Sequence, residues 1–142
     1  MALPETAVPD TAVLIRFLFP YGDVEQAGAD SLRAAWLADD VQLVQLDLSV
    51  YEFVNVVTRS LGHGADQATD DVANLFRLQM PIVHVDARLA SDAAVLAADL
   101  GLSGYDASFL AAAQRLGMPL VTADRRLAAV GGGHVLPLET VA

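Results

Sequence analysis

The chain has 142 residues, 18 acidic and 8 basic side chains, a formal charge of −10, 54% hydrophobic residues and a mean hydropathy of +0.43. That balance fits one acidic domain over residues 1–142 with a full core, and excludes disorder as the working state. All 8 basic residues are arginine and cysteine is absent, which removes Schiff-base enzymes, lysine-dependent phosphate loops, receiver domains, thiol nucleophiles, thiolate metal sites and disulfide staples.

The opening stretch carries Pro4, Glu5, Pro9 and Asp10 before its first basic residue, Arg16. A secretory leader is therefore not expected. The longest apolar run, Ala12 to Phe19, is cut by Arg16 and falls short of a membrane span, so a cytoplasmic protein without membrane contact is expected. Thr6 to Val8 reads as a first strand ending at Asp10, and Thr11 to Phe19 as a helix stopped by Pro20, Tyr21 and Gly22. Val24 to Asp39 is amphipathic at helical spacing. Val41 to Leu48 alternates, with Val44, Leu46 and Leu48 on one parity, which predicts a half-buried strand.

Ser49 with Glu52 three residues on has the form of a capping box, opening a helix to about Leu61. Asp66 to Met80 is a further helix ended by Pro81, Ile82 to Val85 a short strand, and Asp86 to Leu100 a helix closed by Gly101. Ser103 to Leu116, closed by Gly117, precedes a tight strand at Pro119 to Thr122. Asp124 opens a last helix ending at Gly131 to Gly133, and His134 to Leu138 adds an edge strand. Short apolar runs alternating with helices predict a layered α/β fold around a mostly parallel sheet.

Four carboxylates are distinguished by position. Asp10 and Asp124 follow strands, Glu52 lies in the first turn after another, and Asp106 lies near the start of a long helix. In an open parallel sheet, residues beyond the carboxyl ends of strands collect in one crevice. Helix N-termini stabilise anions by about 2 kcal/mol at most, too little to hold four converging acids ionised. A hard divalent cation, Mg²⁺ or Mn²⁺, resolves that conflict, and carboxylates around such an ion are the usual equipment for phosphodiester hydrolysis. Asp10, Asp106 and Asp124 would hold one or two ions, and Glu52 would orient a water or take its proton. Taken singly, Asp10, Glu52 and Asp124 also sit where helix caps and first-turn acids are favoured.

The segments VPDTAVLIRFL, LSVYEFVNVVTRSL and SGYDASFLAAAQRLGMPLVTADRRL together resemble PIN-domain ribonucleases of the VapC toxin type, from about Ala7 to Leu138. The resemblance implies a three-layer α/β/α fold with a short, mostly parallel sheet of four or five strands. It maps Asp10, Glu52, Asp106 and Asp124 onto the family's acidic metal-binding set, Thr122 onto its site hydroxyl and Asn55 onto a polar position of its cleft. It further implies RNA cleavage leaving 5′-phosphate and 3′-hydroxyl ends, a cognate antitoxin as partner and a homodimer.

Arg125 and Arg126 follow Asp124 and are candidates for RNA phosphate, or for pairing with surface acids. His63, His84 and His134 lack ligand spacing and are read as bystanders. Pro9 sits awkwardly in a central strand because it lacks a backbone donor. A charge of −10 sits equally awkwardly with a nucleic-acid substrate. Trp36, Phe53 and Phe76 are candidates for an antitoxin groove or for the core. Two other functions remain open: a PIN-like binding module without catalysis, and a Mg²⁺-dependent phosphatase, whose D-x-D pair is missing because Thr11 and Ala12 follow Asp10.

Overall fold

The computed structural model describes residues 3–141. In chain order these form β1 (Thr6–Pro9), α1 (Thr11–Leu18), α2 (Gln26–Leu37), β2 (Gln42–Leu43), β3 (Gln45–Leu46) and α3 (Leu48–Asn55), which continues into a π-helical turn, Val56–Ser60. Then come α4 (Ala65–Arg77), β4 (Ile82–Val83), α5 (Ala87–Leu100), α6 (Gly104–Leu116), β5 (Leu120–Thr122), α7 (Arg125–Gly131) and β6 (Val135–Pro137). Four strands make a parallel sheet in the order β2-β1-β5-β6, and β3 and β4 make a second parallel pair.

Side-chain alternation along the two central strands sets the layers. Ala7 and Val121 face a core with Val13, Leu14 and Phe17 of α1 and Ala29 and Leu32 of α2. Val8 and Leu120 face the opposite core, with Leu89 of α5, Phe109 and Leu110 of α6 and Leu127 of α7. Helices thus cover both faces, the expected three-layer α/β/α arrangement. Among the described residues, no helix is long and apolar enough to cross a membrane.

Pro9 fits because of the direction of its missing bond. The amides of Val8 and Asp10 donate toward β5, to Pro119 O at 2.9 Å and Val121 O at 3.0 Å. The nitrogen of Pro9 therefore faces the β2 side, where pairing covers only Thr6↔Gln42 and Ala7↔Leu43. No ladder bond is lost.

Three sequence expectations need correction. Val41 to Leu48 is not one strand: it breaks at Val44, with β2 on β1 and β3 on β4. No single parity is buried: Val41, Leu43, Gln45 and Leu46 all lie inside, and Gln45 goes in despite its polarity, donating to Met80 O at 3.3 Å. Ser49 is not a cap. The helix already begins at Leu48, Ser49 is fully buried, and Glu52 bonds elsewhere. The helix drawn to Met80 stops at Arg77, since Gln79 takes a left-handed φ of 53° that turns buried Met80 into the core.

Candidate active site

The cleft lies where the chain reverses across the sheet. From β1 it proceeds through α1 and α2 to β2 on one side, and from β5 through α7 to β6 on the other. Ligands bind at such a switch point, beyond the carboxyl ends of the strands. Register places Pro9 opposite Val121, so Asp10 and Thr122 emerge side by side. Asp10 caps α1, its Oδ1 accepting from the Val13 amide at 3.1 Å, and its Oδ2 accepts the hydroxyl proton of Thr122. The same Thr122 oxygen accepts from the Asp124 amide at 3.0 Å. Asp124 in turn caps α7, its Oδ1 accepting from Arg126 N at 2.9 Å and Leu127 N at 3.2 Å.

Across the cleft, Glu52 projects from α3 and Asp106 from the first turn of α6, where Ser103 Oγ accepts the Asp106 amide at 3.1 Å. Asp10, Thr11, Ala12, Glu52, Asp106, Phe109 and Asp124 line one cavity of about 160 Å³. All four singled-out carboxylates therefore share a single cleft.

Their crowding shows in their protonation. Burial pushes Asp10 up to about 6, against the bonds from Thr122 and Val13, and the charges of Asp106 and Glu52 add to the rise. Burial raises Glu52 as well, opposed by its bond from Thr11 and reinforced by Asp106. Asp106 is raised by burial and then by Asp124, with Ser103 and Arg126 pulling the other way. Every polar side chain lining the cleft offers oxygen, which is the donor chemistry of a hard cation. Among the described residues, no three acidic or imidazole groups form a ready-made cage. An ion held by one or two carboxylates and otherwise by water needs none, so the residues fit Mg²⁺ or Mn²⁺.

A family model described as the PIN domain matches residues 7–133. The chain belongs to the PIN-domain family. It is 34% identical over 91 residues to Ribonuclease VapC3 of Pyrobaculum aerophilum, covering 61% of this chain and 70% of that protein. In fold it is similar to the crystal structure of PAE2754 from Pyrobaculum aerophilum, with a TM-score of 0.67, 24% identity, and 99% of this chain and 94% of that one covered. It is also similar to a chain of a toxin-antitoxin complex from Klebsiella pneumoniae, with a TM-score of 0.66, 21% identity, and 93% and 97% covered.

One polar residue lining this PIN domain's cleft, and one buried behind it, escaped the sequence reading. Thr11 donates to Glu52 Oε1 at 2.6 Å, and buried Ser49 places its Oγ 3.2 Å from the Thr11 hydroxyl. The signal for Thr11 was its place directly after a strand-end aspartate. Ser49 gave none, because its spacing to Glu52 imitates a cap. Asn55 lies exposed on α3, one turn beyond Glu52 and outside the cavity lining.

The arginines are largely engaged by the protein itself. Arg125 pairs with Glu139 at 2.8 Å and Glu25 at 3.6 Å, while Arg126 donates to Gly101 O at 3.1 Å. His63 is 2.6 Å from buried Asp71 and packs edge-on to Phe19. Phe53 is core, Trp36 is partly buried and donates to Leu78 O at 3.1 Å, and Phe76 is exposed.

Proposed function

We propose that this PIN domain, one domain over residues 1–142, is a Mg²⁺-dependent endoribonuclease, with Mn²⁺ able to substitute, and the toxin of a toxin–antitoxin pair that works as a homodimer. The observation that carries the reading is the gathering of Asp10, Glu52, Asp106 and Asp124 around one cleft at the switch point of the sheet. The relative named a ribonuclease supports RNA as substrate, and the neighbour from a toxin-antitoxin complex supports a separate antitoxin chain as partner.

Asp10, Asp106 and Asp124 would hold the metal, one or two of them directly and the rest through water, and the metal when bound supplies Lewis-acid charge and makes water a nucleophile near neutral pH. Thr122 fixes the Asp10 carboxylate through its hydroxyl and orients the chain entering Asp124 through its oxygen. Glu52 has one oxygen committed to Thr11 and the other free for the proton of the attacking water. Burial and the charge of Asp106 raise its pKa, which makes it a stronger base than a free carboxylate. No cysteine, lysine or serine nucleophile is required.

The test is cleavage of a fluorescent single-stranded RNA by purified protein with Mg²⁺ or Mn²⁺, beside EDTA and the Asp124→Asn variant. Cutting that depends on metal and disappears in the variant is the expected result. Absence of cutting for every RNA tried, with no growth arrest on expression, would overturn the nuclease reading in favour of a binding module.

A further inference from the structure

A second, larger cavity of about 360 Å³ lies between α3 and α6, the helices that carry Glu52 and Asp106, lined by Asp47, Leu48, Tyr51, Val85, Tyr105 and Ser108 among others. Tyr51 directly precedes Glu52 on α3, and Tyr105 directly precedes Asp106 on α6. Both rings are far more exposed than packing would leave them, at 69% and 62%, with Val85 at 42%. Phe109 and Leu110 of the same helix are buried, whereas Tyr105 is not. Exposed aromatic rings around an apolar hollow leave unpaid the hydrophobic area that tyrosine normally buries.

Charge says what this hollow is for. An RNA enzyme ordinarily gains affinity by neutralising phosphates with a basic footprint. This chain has a charge of −10 and no lysine, and of its arginines near the cleft Arg125 is held by Glu25 and Glu139 and Arg126 by Gly101. Phosphate contact is thus a poor source of binding here. Stacking of an unpaired base on an aromatic ring is indifferent to that charge.

We propose that the Tyr51–Tyr105 cavity is a nucleobase subsite, taking an unpaired base of the RNA whose backbone passes the neighbouring acidic cleft. The assignment rests on the nuclease reading above. It makes the substrate single-stranded at the cleavage point, because a paired base cannot enter the hollow. It also makes binding less dependent on salt than a phosphate-reading protein would be.

Steady-state cleavage of a fluorescent single-stranded RNA by the full chain with Mn²⁺ tests it. Tyr51→Ala and Tyr105→Ala are each expected to raise KM by about 5- to 100-fold with kcat little changed. Tyr51→Phe and Tyr105→Phe should restore KM, because the ring and not the hydroxyl does the stacking. The same RNA sealed into a duplex should bind poorly. An unchanged KM in both alanine variants, while the wild-type chain cuts, would overturn the subsite and leave the nuclease reading intact. So would light scattering that shows either alanine variant breaking a dimer, since the hollow would then be an interface between copies. A wild-type chain that neither cuts nor binds RNA would overturn both readings.

Discussion

Thr122 has one hydroxyl proton and gives it to Asp10, while its oxygen takes the amide of Asp124. Two acids of the cleft are thereby tied to one side chain. Thr122→Val keeps the shape and deletes the bond, leaving buried Asp10 with only Val13 as partner. The expected cost is about 1–3 kcal/mol in denaturant unfolding, with Thr122→Ser close to wild type. Asp10 itself makes stability depend on pH. Its carboxyl titrates at about 6 in the fold against an ordinary 3.8, so the native state holds a proton that the unfolded chain has released. That contribution is complete below pH 4 and lost as pH rises through 6, about 3 kcal/mol in all for metal-free protein. Unfolding in EDTA at pH 4 and pH 7.5 should show a larger loss in wild type than in Asp10→Asn, where Glu52 and Asp106 remain raised. Asp106→Asn removes one of the repelling charges and should abolish cleavage while keeping or raising the thermal midpoint. A folded, fully active Asp106→Asn would refute the site assignment.

At the scale of elements, the helices with chemical punctuation could be read closely from sequence. Gly101 and Gly117 both take the left-handed conformation that closes α5 and α6, and Ser103 caps α6 as its spacing implies. Strands of two or three residues carry too few positions for periodicity, which is why the break at Val44 was invisible. Gln45 and Leu46 are both buried there, so no alternation existed to be read. Tertiary approach is equally hidden from local pattern. Gly28 of α2 lies so close to the C-terminal segment that a Cβ would stand 2.1 Å from Leu138 O. Gly28→Ala should therefore destabilise the fold by about 1–3 kcal/mol despite the higher helix propensity of alanine, as a lowered denaturation midpoint.

Considered as a whole, the molecule puts much of its charge problem in one place. Three of the carboxylates were readable because strand ends and helix starts recur at Asp10, Asp106 and Asp124, while Glu52, read as a first-turn acid, sits one turn further along α3, which begins at Leu48. Thr11 and Ser49 were not, since a hydroxyl on a helix carries no pattern of its own. Any cation that binds the cleft binds the folded state alone, so Mg²⁺ should raise the thermal midpoint at pH 7.5 and EDTA reverse it. At a hundredfold excess over Kd the stabilisation is about 2.7 kcal/mol. The Asp10→Asn, Asp124→Asn double variant should show almost none, and an equal gain in that variant would locate the ion elsewhere.

The two strands that meet at the cleft come from opposite ends of the chain: Asp10 and Thr122 are 112 residues apart. During synthesis the N-terminal half emerges first, and α1, α2 and β2 are all made before any of β5 exists. Asp10 and Glu52 then wait without Thr122 or Asp124 to complete the cleft. A nascent chain ending before Leu120 carries Asp10, Glu52 and Asp106 but lacks Thr122 and Asp124, and the expected gain of activity waits for β5 and the start of α7. A ladder of truncations from the C-terminus should accordingly show cleavage switching on only once β5 and the start of α7 are included.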